Sequence, residues 1–197
     1  MNEFIYTRLS QSTLAKEEFA KESSDKVLQL AEEIVATFTS GGKVLIFGNG
    51  GSAADAQHVA AEFVNRFLLN RRPLPAIALS TDTSILTAIG NDFSYDLVFT
   101  KQIQALGNPE DLAWGITTSG TSPNVVQALA QAKKQGLTTV ALTGGTITPK
   151  DGVHPHCDMV LNVPSNYTPR IQEAHLWIEH LVCEIVEKMM FGRWGDE

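Results

Sequence analysis

Cysteine is scarce in this chain: Cys157 and Cys183 are the only two among 197 residues. Two thiols without paired spacing exclude a disulfide scaffold and fit a reducing compartment. Basic residues are also few, with 15 Lys+Arg against 22 Asp+Glu and a formal net charge of −7. That balance lacks the electropositive footprint of a nucleic-acid binder. Arg66, Arg71 and Arg72 do cluster, and the expected state of such a run is a solvated loop. No apolar run approaches the ~20 residues that a membrane span requires. The opening residues MNEFIYTRLS have neither a basic n-region nor an apolar h-region. No secretory leader is therefore expected, and the expected location is the cytoplasm. Low-complexity tracts, solenoid-period repeats and long linkers are missing as well, so a single domain over 1–197 is expected.

What remains is an ordinary globular composition, 43% hydrophobic and 19% charged. Residues 5–39 repeat apolar side chains at spacings near three and four, which predicts helix, and ESSDK at 22–26 predicts a break into two. SGG at 40–42 predicts where the second helix ends. Five short apolar runs then alternate with helical patterns: KVLIFG, PAIALS, DLAWGIT, TTVALTG and DMVLNVP. They read as buried parallel strands, with helices near 52–67, 84–90, 95–105, 122–135 and 167–191. The fold class is α/β: a doubly wound five-stranded parallel sheet flanked by helices. A helical extension at 1–40, an α/β core at 41–164 and a long C-terminal helix within 165–191 complete the plan. The final helix is apolar around most of its circumference, more than one small sheet can cover. A second subunit is expected against it, packed as a helical bundle.

In a doubly wound sheet, ligands collect beyond the carboxyl ends of the strands. TTSGTS at 117–122 is the most informative such loop. Ser122 suits an N-cap and Pro123 the first helical position, so free N–H groups face the hydroxyls of Thr117, Thr118, Ser119 and Thr121. Together with the helix dipole they make a phosphate cradle that needs no lysine. GNGGSA at 48–53 matches G-x-G-x-x-A, but the acid expected about 20 residues on is missing and there is no Walker A sequence. A smaller phosphorylated ligand is the better reading than a nucleotide.

The helix after GNGGS, with Ser52 expected as its cap, carries His58 and Glu62 on one face at i, i+4. Imidazole and carboxylate at that spacing can chelate a metal or form an acid/base pair. The small residues Ala53, Ala54, Ala60 and Ala61 leave room beside them, and RIQEAHLWIEH at 170–180 supplies a second histidine-bearing helix. Glu62 lies ~15 Å along the axis from Ser52 at 1.5 Å per residue. A phosphate at the loop and reactive carbons near Glu62 then require a long ligand, and a seven-carbon sugar phosphate fits better than a triose. HPHCD at 154–158 gathers further ligand types but lacks the spaced pairs of a structural zinc motif, so a lead-in to the last strand is expected there.

GNGGSAADAQHVAAE, PAIALSTD, GND, TTSGTSPNV, VALTG and RIQEAHLWIEH together resemble the phosphoheptose isomerases of the sugar-isomerase (SIS) family over nearly the whole chain. The resemblance implies a cytoplasmic homotetramer that converts sedoheptulose 7-phosphate to D-glycero-D-manno-heptose 7-phosphate in lipopolysaccharide heptose synthesis. It implies substrate contacts at Asn49, Gly50, Gly51, Ser52, Asn91 and Asp92, and a phosphate site at Thr117, Thr118, Ser119 and Ser122. It also implies one zinc per subunit on His58, Glu62, Gln172 and His180, with Gln172 and Glu62 touching substrate and Glu62 and His180 moving the proton. The reaction so implied is aldose–ketose isomerisation through an enediol. Helical periodicity by itself favours a stripe of Gln172, His175 and Glu179, and places His180 about 80° from Gln172; the choice of His180 comes from the resemblance. A non-enzymatic branch of the same family resembles the chain at NRF, PAIAL and LTAI, and implies instead a tetramer that binds the replication initiator DnaA or senses a sugar phosphate. The pair Glu62 and His180 favours the enzyme.

Overall fold

The computed structural model describes residues 1–146 and 150–192. Strands β1 (Val44–Gly48), β2 (Ala76–Ala78), β3 (Leu112–Ile116), β4 (Thr138–Gly144) and β5 (Met159–Val163) form one parallel sheet in the order β2-β1-β3-β4-β5. Every residue of β1 and β3 is buried, which is why these strands read as unbroken apolar runs. Pro73 and Pro75 lead into β2, which is short and lies at an edge, where a missing N–H does least harm.

Alternation along the strands divides the core. Val44, Ile46 and Trp114 face a layer built from α1 (Asn2–Thr39), α2 (Gly51–Val64) and α6 (Thr168–Phe191). Leu45, Phe47 and Ala113 face α3 (Thr83–Asp92), α4 (Val98–Leu106) and α5 (Pro123–Gln135). The doubly wound sandwich is therefore as expected. Among the described residues no helix is long and apolar enough to cross a membrane.

Three local expectations need correction. The N-terminal segment is one 38-residue helix, not two. ESSDK contains no glycine or proline; Ser24 bonds back to the Ala20 carbonyl, Ser23 is buried, and Lys26 reaches the Val160 carbonyl at 3.1 Å, so the polar run serves packing and not a break. Next, Gly50 and not Ser52 caps α2: its φ of +57° suits glycine, and Ser52 is buried within the first turn. Finally, the helix expected at 95–105 begins as a 3-10 turn, Tyr95–Leu97, ahead of α4.

Candidate active site

The order of the strands places the chain's reversal between β1 and β3, the point beyond whose carboxyl ends ligands collect in such sheets. GNGGS follows β1 and TTSGTS follows β3, so the two loops flank it. They are tied together: Asn49 Nδ2 donates to Asn124 Oδ1 at 2.9 Å, and Asn124 Nδ2 donates back to Asn49 Oδ1 at 2.8 Å. Asn124 is buried in the first turn of α5, so this amide pair registers one loop against the other.

Within TTSGTS, Thr117 is buried and its hydroxyl pairs with that of Ser122 at 3.0 Å. Ser122 is the N-cap of α5, yet its side chain makes no cap bond, because it turns to Thr117. The helix dipole at this end favours an anion. Thr118 and Ser119 line a cleft of about 230 Å³ with Gly144, Gly145, Asn166 and Thr168. Asn91 and Asp92 end α3, exposed and hydrogen-bonded to each other at 2.8 Å; among the described residues no bond links them to the rest of the site.

A second cluster forms where α2 meets α6. His58 Nε2 lies 2.7 Å from His180 Nε2 and 3.5 Å from Glu62 Oε1. One ligand atom from each of the three lies within 4.8 Å of the others. Two imidazoles and a carboxylate, all part-buried, can hold a divalent metal ion. Among the described residues no other group of His, Cys, Asp or Glu has this arrangement. HPHCD in particular forms a 3-10 turn into β5: Asp158 accepts from the N–H and hydroxyl of Thr139, and burial pushes the Cys157 thiol up to about 12. Gln172 stands next to the glycine loop, since a Cβ on Gly51 would lie 2.6 Å from its Nε2. Glycine at 51 is what lets this amide approach.

The stripe that periodicity favours on α6 is a core stripe. His175 and Glu179 are fully buried. His175 Nε2 donates to the Thr143 carbonyl at 3.0 Å, and burial lowers its pKa to about 4. Burial, reinforced by the nearby charge of Asp55, pushes the Glu179 carboxyl well above the usual range, and among the described residues neither of its oxygens has a hydrogen-bond partner. Arg71, read above as part of a solvated loop, is instead buried in an ion pair with Glu187.

Residues 8–144 match the SIS-domain family profile. A phosphoheptose isomerase from Maridesulfovibrio salexigens is 49% identical over 92% of this chain and 87% of its own length. Another from Trichlorobacter lovleyi is 47% identical over 100% and 99%. The chain belongs to the phosphoheptose isomerases of the SIS-domain family. The solved phosphoheptose isomerase GmhA of Neisseria gonorrhoeae superposes with a TM-score of 0.87 and 41% identity, covering 95% of this chain and 98% of that one. The phosphoheptose isomerase of Francisella tularensis superposes with 0.89 and 38% identity, over 94% and 97%. As a phosphoheptose isomerase the chain is an enzyme, and the two loops and the triad are its candidate active site.

Proposed function

We propose that this enzyme interconverts sedoheptulose 7-phosphate and D-glycero-D-manno-heptose 7-phosphate for lipopolysaccharide heptose synthesis, in the cytoplasm, as a homotetramer. The observation that carries the reading is the triad His58, Glu62 and His180, in a chain that also presents a hydroxyl-lined helix N-terminus beside a cleft. A site for an anion and a set of proton-transfer groups suit a phosphorylated sugar.

In this reading Thr117, Thr118, Ser119 and Ser122, with the N-terminus of α5, receive the phosphate. Asn49, Gly50, Gly51, Ser52, Asn91, Asp92 and Gln172 contact the sugar chain. The donor set of His58, Glu62 and His180 fits zinc, and Gln172, which lies against the glycine loop, is the fourth ligand of this reading. When bound, zinc would supply Lewis acidity that stabilises negative charge developing on the sugar. Glu62 takes the proton from one of these carbons and returns it to the other, through an enediol. His180 moves a proton at the oxygen that changes between carbonyl and hydroxyl.

Turnover by Glu62→Gln tests the base. The variant keeps the shape of the side chain and is expected to lose at least ~10²-fold in turnover of sedoheptulose 7-phosphate while remaining folded. A folded variant that retains full turnover would refute the assignment.

A further inference from the structure

Glu62 and His180 sit on different helices, and the loop 65–72 holds both of them from behind. Arg71 is the first half of that connection. It is buried to 3% side-chain exposure, and its Nη2 donates to the Glu62 carbonyl at 2.8 Å, while its Nη1 donates to the Phe63 carbonyl at 2.8 Å. These carbonyls belong to the last turn of α2, where backbone oxygens have no partner within the helix and the dipole favours a cation. Arg71 thus caps the last turn of α2, which contains the residue that carries the triad's carboxylate.

Glu187 is the second half. It stands on α6, two turns beyond His180, at 2% side-chain exposure. It accepts the Arg71 Nε–H at 2.8 Å, the Phe67 N–H at 3.0 Å, and the N–H groups of Leu68 and Leu69 at 2.6 Å each. Burial alone would raise its pKa, but the three N–H groups and the guanidinium hold it below the usual carboxylate range. Phe67, fastened this way, lays its ring on His180, with centroids 5.7 Å apart and planes 25° from parallel.

We propose that Arg71 and Glu187 are positioning residues: together they hold Glu62 and His180 in the geometry that the triad needs. The chain of contacts runs from the Glu62 carbonyl to Arg71, to Glu187, to the Phe67 backbone, and through the Phe67 ring to His180. The functional consequence rests on the metal and isomerase reading above, whereas the geometric claim does not. Partners that orient metal ligands typically change metal affinity or activity by about 10–100-fold when removed.

The test compares wild type with Glu187→Gln, which keeps size and removes the charge. A control, Asp111→Asn, disrupts the part-buried Lys43–Asp111 pair, bonded at 2.6 Å and, among the described residues, sharing no hydrogen bond with the triad, Arg71 or Glu187. With only five histidines in the chain, the His180 ring resonances of metal-free, histidine-labelled protein can be identified by their loss in His180→Gln. Glu187→Gln is expected to shift the His180 ring protons as Phe67 leaves its stacked position, and to weaken zinc retention against a chelator by about tenfold or more. Asp111→Asn is expected to lower thermal stability and move neither readout. If Glu187→Gln does not fold, Arg71→Lys replaces it, since lysine keeps a cation near Glu187 but cannot span both carbonyls of α2. An unshifted His180 resonance in a folded variant overturns the proposal. Wild type that retains no zinc refutes the metal reading, and the His180 resonance still decides the clamp.

Discussion

His175 is a base with no route to water, and that fixes its response to acid. Its Nε2–H is committed to the Thr143 carbonyl, and burial keeps the ring neutral down to about pH 4. An unfolded chain protonates the same ring near pH 6.5. Between those values the unfolded state binds more protons, so the stability His175 allows above pH 6.5 is lost as pH falls toward 4. The slope is at most about 1.4 kcal/mol per pH unit. Thermal midpoints of metal-free protein should therefore fall across this window, and less steeply in His175→Gln, whose amide cannot take a proton. Equal slopes would contradict the account. Glu179, one turn along, has the opposite sign: its raised pKa costs stability as pH rises above the usual carboxylate range.

These residues also mark how far side-chain spacing can be read. The interval of four placed His58 and Glu62 on one face of a helix, and the triad confirms the placement. The same logic applied to α6 picks Gln172, His175 and Glu179, two of which the protein buries. Polar residues on a helical stripe normally signal solvent or a site, and nothing in the one-dimensional pattern tells a site from a polar core. Arg71 failed for a related reason: a run of arginines looks solvated until a glutamate 116 residues away is brought beneath it.

At the scale of elements, the five strands and the helices between them were legible because both faces of the sheet are covered and each run is short. The 38-residue α1 was not, since its serines bond and pack where a solvated break was expected. Helices α1 and α6 pack together and leave an apolar groove of about 220 Å³ between Phe19, Val27, Leu28, Trp177, Leu181 and Ile185. Leu28 is 43% exposed and Leu176 is 39% exposed on these helices. Such surface belongs in contact with a second copy if the proposed tetramer is correct. Leu28→Glu is expected to leave the protomer folded and to shift sedimentation from a tetramer to smaller species. An unchanged sedimentation coefficient would remove this groove from the assembly interface.

At the scale of the whole molecule, the fold brings together groups that are far apart in sequence. The reversal of strand order brings the loops after β1 and β3 side by side, the Asn49–Asn124 pair sets them in register, and α6 carries His180 back to α2 from 122 residues downstream. The central claim is that these groups move a proton between adjacent carbons of a heptose phosphate. Sedoheptulose 7-phosphate incubated in D2O with zinc-replete protein, and followed by NMR, tests it most directly. The account predicts an aldose 7-phosphate carrying deuterium at C2, because a proton held by Glu62 exchanges with solvent. Folded, zinc-loaded protein that forms no aldose would contradict it.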